Sequence, residues 1–216
     1  LLEETKLILP VGKWLLEQAV QQARAWRALL PDFRMSINMS YEQVRDLSFQ
    51  EFVPACLARY DLPAEAVTLE LTESRIVADW HFVNEQFDAY RRQGIHIAMD
   101  DFGTGYSSLA SLKNLSCDIV KIDRAFVENI TDGGFDQQLV CAVTALCHSI
   151  GITVCIEGVE ETPVYDLLRD TCDADAIQGY LFGHPESPEN FAQKFITPYT
   201  DHILPTDKGE PSHATR

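Results

Sequence analysis

The chain has 216 residues, 46% of them hydrophobic and 10% aromatic, with a formal net charge of -16, a composition that suits one ordinary globular core rather than a disordered chain. So large an acidic excess argues against a nucleic acid polymer or an anionic membrane as partner, since both are held by clustered Lys and Arg. An anionic substrate would need cations between itself and the protein.

Taken in chain order, the first predicted element is a helix with Pro10 near its start and Pro31 beyond its end. Trp14, Leu15, Ala19, Val20, Ala23 and Trp26 recur at three- and four-residue spacing, which predicts an apolar stripe packed on a sheet. Six strands are predicted after it, at Arg34–Asn38, Val67–Glu70, His96–Asp100, Ile119–Asp123, Thr153–Glu157 and Ala176–Tyr180. Helices fill the gaps. Asp79–Gln93 carries Phe82, Val83, Phe87 and Tyr90 on one side before Gly94, and Thr162-Pro163 and Ser187-Pro188 each read as an N-cap followed by proline. Leu139–Ile156 is apolar, but His148, Ser149 and Gly151 interrupt it, which predicts helix, turn and strand rather than a membrane span, and no membrane contact. The chain turns polar and aperiodic from Thr200, so residues 198–216 are expected to form a flexible tail. The six cysteines, Cys56, Cys117, Cys141, Cys147, Cys155 and Cys172, include no C-x-x-C pair, which predicts reduced thiols and a cytoplasmic setting. The order of one helix and then six β-α repeats predicts an α/β fold on a parallel sheet.

Each predicted strand ends on a polar residue able to bind a cation, water or a base: Asn38, Glu70, Asp100 with Asp101, Lys121 with Asp123, Glu157, and Gln178. In a barrel of parallel strands the carboxyl ends converge on one face. Four carboxylates and an amide oxygen meeting there make a hard-oxygen site for Mg²⁺ or Mn²⁺. Lys121, between Val120 and Ile122, would face inward and needs carboxylates around it, with Asp123 a ready partner. Taken singly the residues have plainer readings. Asn38 suits a turn, Asp100-Asp101 suits a solvated turn, and Glu73, three residues after Glu70, suits a structural role in the neighbouring loop. Gly103-Thr104-Gly105 lacks the Lys-Ser/Thr ending of a phosphate-cradling loop and reads as a tight turn after the aspartates.

These residues also carry a resemblance. Ser36-Ile37-Asn38-Met39-Ser40, Glu70-Leu71-Thr72-Glu73-Ser74, Asp100 to Ser108, Val120-Lys121-Ile122-Asp123-Arg124, Glu157-Gly158-Val159-Glu160 and Gln178-Gly179-Tyr180 occur in an order and spacing similar to those of the EAL-domain phosphodiesterases. Those enzymes hydrolyse the bacterial second messenger cyclic di-GMP to the linear dinucleotide pGpG. The resemblance implies a TIM-like (β/α)8 barrel over residues 1–197. It implies two ions of Mg²⁺ or Mn²⁺ held by Asn38, Glu70, Asp100, Asp101 and Glu157, with the two aspartates between them. It also implies a catalytic group of Lys121, which positions the attacking water, together with Glu73, which braces the loop after Asp101, and Asp123. Gln178 would lie beside the substrate.

Two departures qualify the resemblance. The Glu-Ala-Leu motif that names the family, and the Arg that follows it, do not occur in this chain, whose first residues resemble a family segment about two dozen positions later. The expectation is a domain lacking about two N-terminal strands, with weak activity and a tendency to self-associate. His184 stands where the family usually has Arg or Lys. The partners implied are cyclic di-GMP, a second copy in a homodimer, and a sensory or GGDEF domain fused upstream. The rival readings are an inactive module of the same fold that binds the nucleotide or a protein, and a different metal-dependent barrel hydrolase.

Overall fold

The computed structural model describes residues 7–72, 80–104 and 116–198. Six parallel strands form one sheet in the order β1-β2-β3-β4-β5-β6: Met35–Asn38, Val67–Thr72, His96–Phe102, Ile119–Ile122, Thr153–Ile156 and Ala176–Ile177. The alternation of strand and helix is what short buried Val/Ile/Leu runs joined by amphipathic helices dictate. Helices α1 (Ile8–Arg27), α2 (Tyr41–Arg45), α3 (Leu47–Arg59), α4 (Trp80–Arg92), α5 (Phe135–Ser149) and α6 (Thr162–Thr171) precede or connect the strands, and α7 (Pro188–Phe191) runs into a wider turn at Ala192–Ile196. The fold is therefore the parallel α/β, TIM-like arrangement expected, seen as a six-stranded part of a barrel.

The core lies between sheet and helices. Leu69, Leu71, Ile97, Met99, Val120, Ile122, Val154 and Ile156 meet Val83, Phe87 and Tyr90 of α4, Val140 and Cys147 of α5 and Leu168 of α6, all of them buried. A device repeated at the amino ends of the strands sets the register. Just before β4, Asp118 accepts from the backbone N–H of Ile97 on β3 (2.9 Å) and from Arg91 Nε at the end of α4 (2.9 Å). Just before β6, Asp175 accepts from the N–H of Val154 on β5 (2.7 Å) and lies 2.8 Å from His148 Nε2 in the last turn of α5. In each case a carboxylate fastens the start of one strand to its neighbour and to the basic end of the helix that leads into that neighbour, where the macrodipole favours a cation.

Three sequence expectations are corrected here. On α1 the buried line is Gly12, Leu16, Val20 and Ala23, while Trp14 and Leu15 are 61% and 47% exposed. The helix packs on α2, α3 and β1 rather than on the face of the sheet alone. The inward line runs one residue beside the bulky pair that suggested the stripe. Trp26 does pack, with its ring centroid 5.1 Å from Phe33 and 4.9 Å from Phe191. The helix before β1 thus touches the helix after β6, and the sheet curves as a barrel wall does. Second, Ser187 caps α7 as expected, accepting from the Asn190 N–H, but the cap of α6 is Glu161, and Thr162 is already its first helical residue. Third, the thiols are not all reduced: Cys141 on α5 and Cys172 at the end of α6 form a disulfide. Spacing along the chain gave no hint, because the pair is 31 residues apart and meets only when two neighbouring helices pack. Leu139–Ile156 resolves into the end of α5, a turn and β5 as expected, and among the described residues no helix is long and apolar enough to cross a membrane.

Candidate metal centre

The site is built where β2, β3, β4 and β5 end. Lys121 follows Val120 on β4, in register with Cys155 on β5, and its side chain enters the barrel at the level of the carboxylates. Its Nζ donates to Glu70 Oε2 at 2.8 Å and to Glu157 Oε1 at 2.7 Å, and lies 3.3 Å from Asp100 Oδ1. Lys121 and Glu70 are each only 6% exposed, so charges that would be expensive to bury singly are buried as a group. Burial pulls the Lys121 ammonium down, but the bonds from Glu157 and Glu70 outweigh it and hold the group above the ordinary lysine value. Asp123, expected as the partner of Lys121, is not in this group. The strand stops at Ile122, and Asp123 turns to cap the short helical turn Arg124–Phe126, accepting from the Ala125 N–H at 2.8 Å.

Asp100 and Asp101 sit at an irregularity of β3, where the register with β4 shifts between Met99 and Phe102. Asp101 has φ +55°, a left-handed conformation unusual for a residue with a side chain. It breaks the up-down alternation of the strand, so two consecutive carboxylates can serve one site. The strain is braced locally: the Asp101 N–H donates to Asp100 Oδ1 at 3.1 Å, and Thr104 Oγ1 donates to the Asp101 carbonyl at 2.9 Å. Burial, then the charges of Asp100 and Asp123, push the Asp101 carboxyl above the usual aspartate range despite the opposing pull of Lys121. Burial also raises Glu157, to about 6, against the pull of Lys121 and with a further push from Asp100. One carboxylate oxygen from each of Asp100, Asp101 and Glu157 lies within 4.8 Å of the others. Hard oxygens, converging and short of positive charge, are the donor set that Mg²⁺ or Mn²⁺ takes.

The remaining expected residues divide. Glu70 is at the site, with one oxygen engaged by Lys121. Asn38 is exposed, on the edge strand, in register with Glu70. Gln178 follows β6 and lines a cavity of about 260 Å³ with Asp101, Asp123 and Glu157. Glu73 lies outside the described residues, as does the expected tail from residue 199 onward. The same cavity is lined by three side chains to which the sequence reading gave no role: Arg124, Glu160 and Tyr180. Each lies one to three residues beyond a polar strand end, a position that could have marked them. The loops that carry them interlock. The Val159 N–H donates to the Gln178 carbonyl (3.1 Å), and the Leu181 N–H donates to the Val159 carbonyl (3.1 Å). Gly158 has φ +72°, and a Cβ there would collide with Arg124. Gly179 is pressed on the backbone of Val159 and has no room for a Cβ either.

The chain is 34% identical over 189 residues to the cyclic di-GMP phosphodiesterase PA2567 of Pseudomonas aeruginosa, covering 88% of this chain and 32% of that protein. Its backbone superposes on the solved PaMucR phosphodiesterase in complex with c-di-GMP with a TM-score of 0.81 at 33% identity, covering 88% of this chain and 83% of that one. It superposes on the manganese and cyclic di-GMP complex of Klebsiella pneumoniae BlrP1 with a TM-score of 0.69 at 28% identity, covering 80% and 45%. The chain spans between about a quarter and a third of the length of the curated relatives it matches. The EAL domain model matches residues 1–185, and the chain, with its carboxylates gathered at the ends of parallel strands, belongs to the EAL domain family.

Proposed function

We propose that the chain carries the active centre of a metal-dependent phosphodiesterase that hydrolyses cyclic di-GMP to the linear dinucleotide pGpG. The observation that carries this reading is the cluster of Asp100, Asp101 and Glu157 gathered beside Lys121. Relatives named as cyclic di-GMP phosphodiesterases and a neighbour solved with that nucleotide support the substrate. In this reading two ions of Mg²⁺ or Mn²⁺ are held by Asp100, Asp101, Glu157, the second oxygen of Glu70, and Asn38. Bound divalent cations supply Lewis-acid polarisation of the phosphate and lower the pKa of a water toward ~7.

The chain's own residues set the stage for that chemistry. Lys121 holds Glu70, Asp100 and Glu157 in one orientation and presents its ammonium where a nucleophilic water would sit. Hydrolysis adds this water to phosphorus, breaks the bond to the 3′ oxygen and leaves a 5′-phosphate and a 3′-hydroxyl. Gln178 lies beside the bound nucleotide, Asp123 accompanies Asp101, and Glu73 braces the loop after it. The protein works in the cytoplasm, alone or joined to a sensory or GGDEF domain, and as a homodimer. The test is to incubate the purified protein with cyclic di-GMP and Mn²⁺ and follow pGpG by chromatography, with a chelated control. Product with metal and none without supports the reading. Binding of the nucleotide with no turnover in Mg²⁺ or Mn²⁺ favours an inactive binding module instead.

A further inference from the structure

We propose that Cys141 and Cys172 form a reversible redox modification site, taking a low-molecular-weight disulfide such as glutathione disulfide as co-reactant, that fastens the α6–β6 segment bearing Gln178. The two cysteines join the middle of α5 to the end of α6, with their Cα atoms 4.8 Å apart. Besides the disulfide, the α6–β6 segment is held at its strand end by Asp175, which accepts from the Val154 N–H and lies beside His148, and by the Gln178 N–H, which donates to the Ile156 carbonyl. On α6 only Leu168 is fully buried, and β6 has two residues and pairs with β5 alone in the described sheet. A cavity of about 350 Å³, lined among others by Tyr165, Arg169, Cys172 and Phe182, lies beside it. Four residues after Cys172 the chain enters β6, and Gln178 follows. A crosslink closing a loop of this length adds its restraint at the helical end of the segment, where Leu168 is the one fully buried residue of α6.

The two residues differ in exposure, which orders the proposed chemistry. Cys141 is half-buried and can be reached from solvent, while Cys172 is 3% exposed. The Cys141 thiolate attacks glutathione disulfide, whose S–S bond breaks and releases one glutathione thiolate. The Cys172 thiolate then attacks Cys141 sulfur in the mixed disulfide and releases the second glutathione. The protein loses two electrons and two protons, and the disulfide becomes two glutathione thiols. Reduction runs the same steps backward, again entering at Cys141. Four cysteines are free: Cys56, Cys117 and Cys147 are buried, and Cys155 is half-buried on β5, in register with Lys121; burial pushes Cys117 up to about 12 and Cys147 up to about 11, so few thiolates form there to compete.

The experiment equilibrates the whole protein in glutathione buffers of graded ratio, quenches with an alkylating agent and maps the peptides by mass spectrometry. The expected result is a reversible Cys141–Cys172 crosslink, with the four free thiols, Cys56, Cys117, Cys147 and Cys155, alkylated after unfolding. Cys172→Ser should instead retain one glutathione on Cys141. Hydrogen exchange at residues 172–178 should be about tenfold faster in the reduced protein and in the Cys141→Ser, Cys172→Ser double variant, with β3 and β4 unchanged. Alkylation of both cysteines even in the most oxidising buffer, or equal exchange in both redox forms, would overturn the proposal.

Discussion

Replacing Lys121 by methionine keeps most of the volume of the side chain and removes its charge. The ammonium touches three carboxylates, at 2.7, 2.8 and 3.3 Å. The side chains of Lys121 and Glu70 are each 7% exposed, and those of Asp100 and Glu157 are 14% and 15% exposed. Removing one partner from a buried ionic group leaves the others unpaired, at a cost of about 3–5 kcal/mol. For a domain of this size each kcal/mol moves the melting temperature by about 2–4 °C, so Lys121→Met should melt about 6–20 °C below wild type without added metal. Lys121→Ala should fall somewhat further, because its aliphatic stem is lost as well. Adding Mn²⁺ should recover part of the loss in Lys121→Met, since a divalent cation can neutralise the same carboxylates. The assay is calorimetry or circular dichroism in chelated and manganese-containing buffer. A Lys121→Met protein that melts within a degree or two of wild type in chelator would refute the claim that Lys121 neutralises this group.

The other predictions touch separate parts of the account. Asp101→Asn and Glu157→Ala should each lower cyclic di-GMP turnover by ~10²-fold or more; Asp101→Asn removes a charge from a crowded acidic site and should leave the metal-free melting temperature unchanged or higher, whereas Glu157→Ala also takes a partner from Lys121 and should lower it, as steady-state kinetics and melting curves check. Mg²⁺ or Mn²⁺ should support turnover and Ca²⁺ should inhibit it, since calcium prefers more ligands at longer distances, and competition assays at fixed Mn²⁺ decide the point. At Asp175 burial raises the carboxyl, but the Val154 amide and His148 prevail and hold it below the usual value. Its folded-state pKa is depressed, so its stabilisation is present above the unfolded pKa of about 4 and lost as pH falls through the lower folded value. Asp175→Asn should therefore destabilise the protein at neutral pH and flatten its acid unfolding curve, as denaturant titrations at several pH values can measure. Gly179→Ala should push the Val159 loop away from Gln178 and raise KM for cyclic di-GMP, whereas an added Cβ at exposed Gly133, which has open space around it, should leave KM alone.

Much of this architecture was legible because the strands are short, buried and rich in Val, Ile and Leu, and because each has a conspicuous polar residue at or beside its carboxyl end. All six predicted strands start within a residue of where they form, and the carboxylates of Glu70, Asp100, Asp101 and Glu157 come together as the convergence of parallel strands requires. What sequence could not give were contacts set by packing. That Lys121 faces inward among carboxylates was legible from its place between Val120 and Ile122, and the structure has it so; which three carboxylates it meets needs the inter-strand register. Asp123 looked like its partner because two residues apart on a strand share a face, but the strand ends first. Cys141 and Cys172 meet through the packing of α5 against α6. The inward line of α1 was displaced because Trp14 and Leu15 are apolar yet exposed, and hydrophobicity alone does not say which side of a helix has a neighbour.

Asp100, Asp101 and Glu157 are proposed to form a divalent-cation site for phosphodiester hydrolysis. Titrating the metal-free protein with Mn²⁺ and counting bound ions by electron paramagnetic resonance, with and without cyclic di-GMP, tests it most directly. The account predicts saturable binding of two ions per chain, at least tenfold weaker in Asp101→Asn and in Glu157→Ala and unchanged in Asp136→Asn, on the outer helix α5. Binding that is absent, or that is as tight in the Asp101 and Glu157 variants as in wild type, would contradict it.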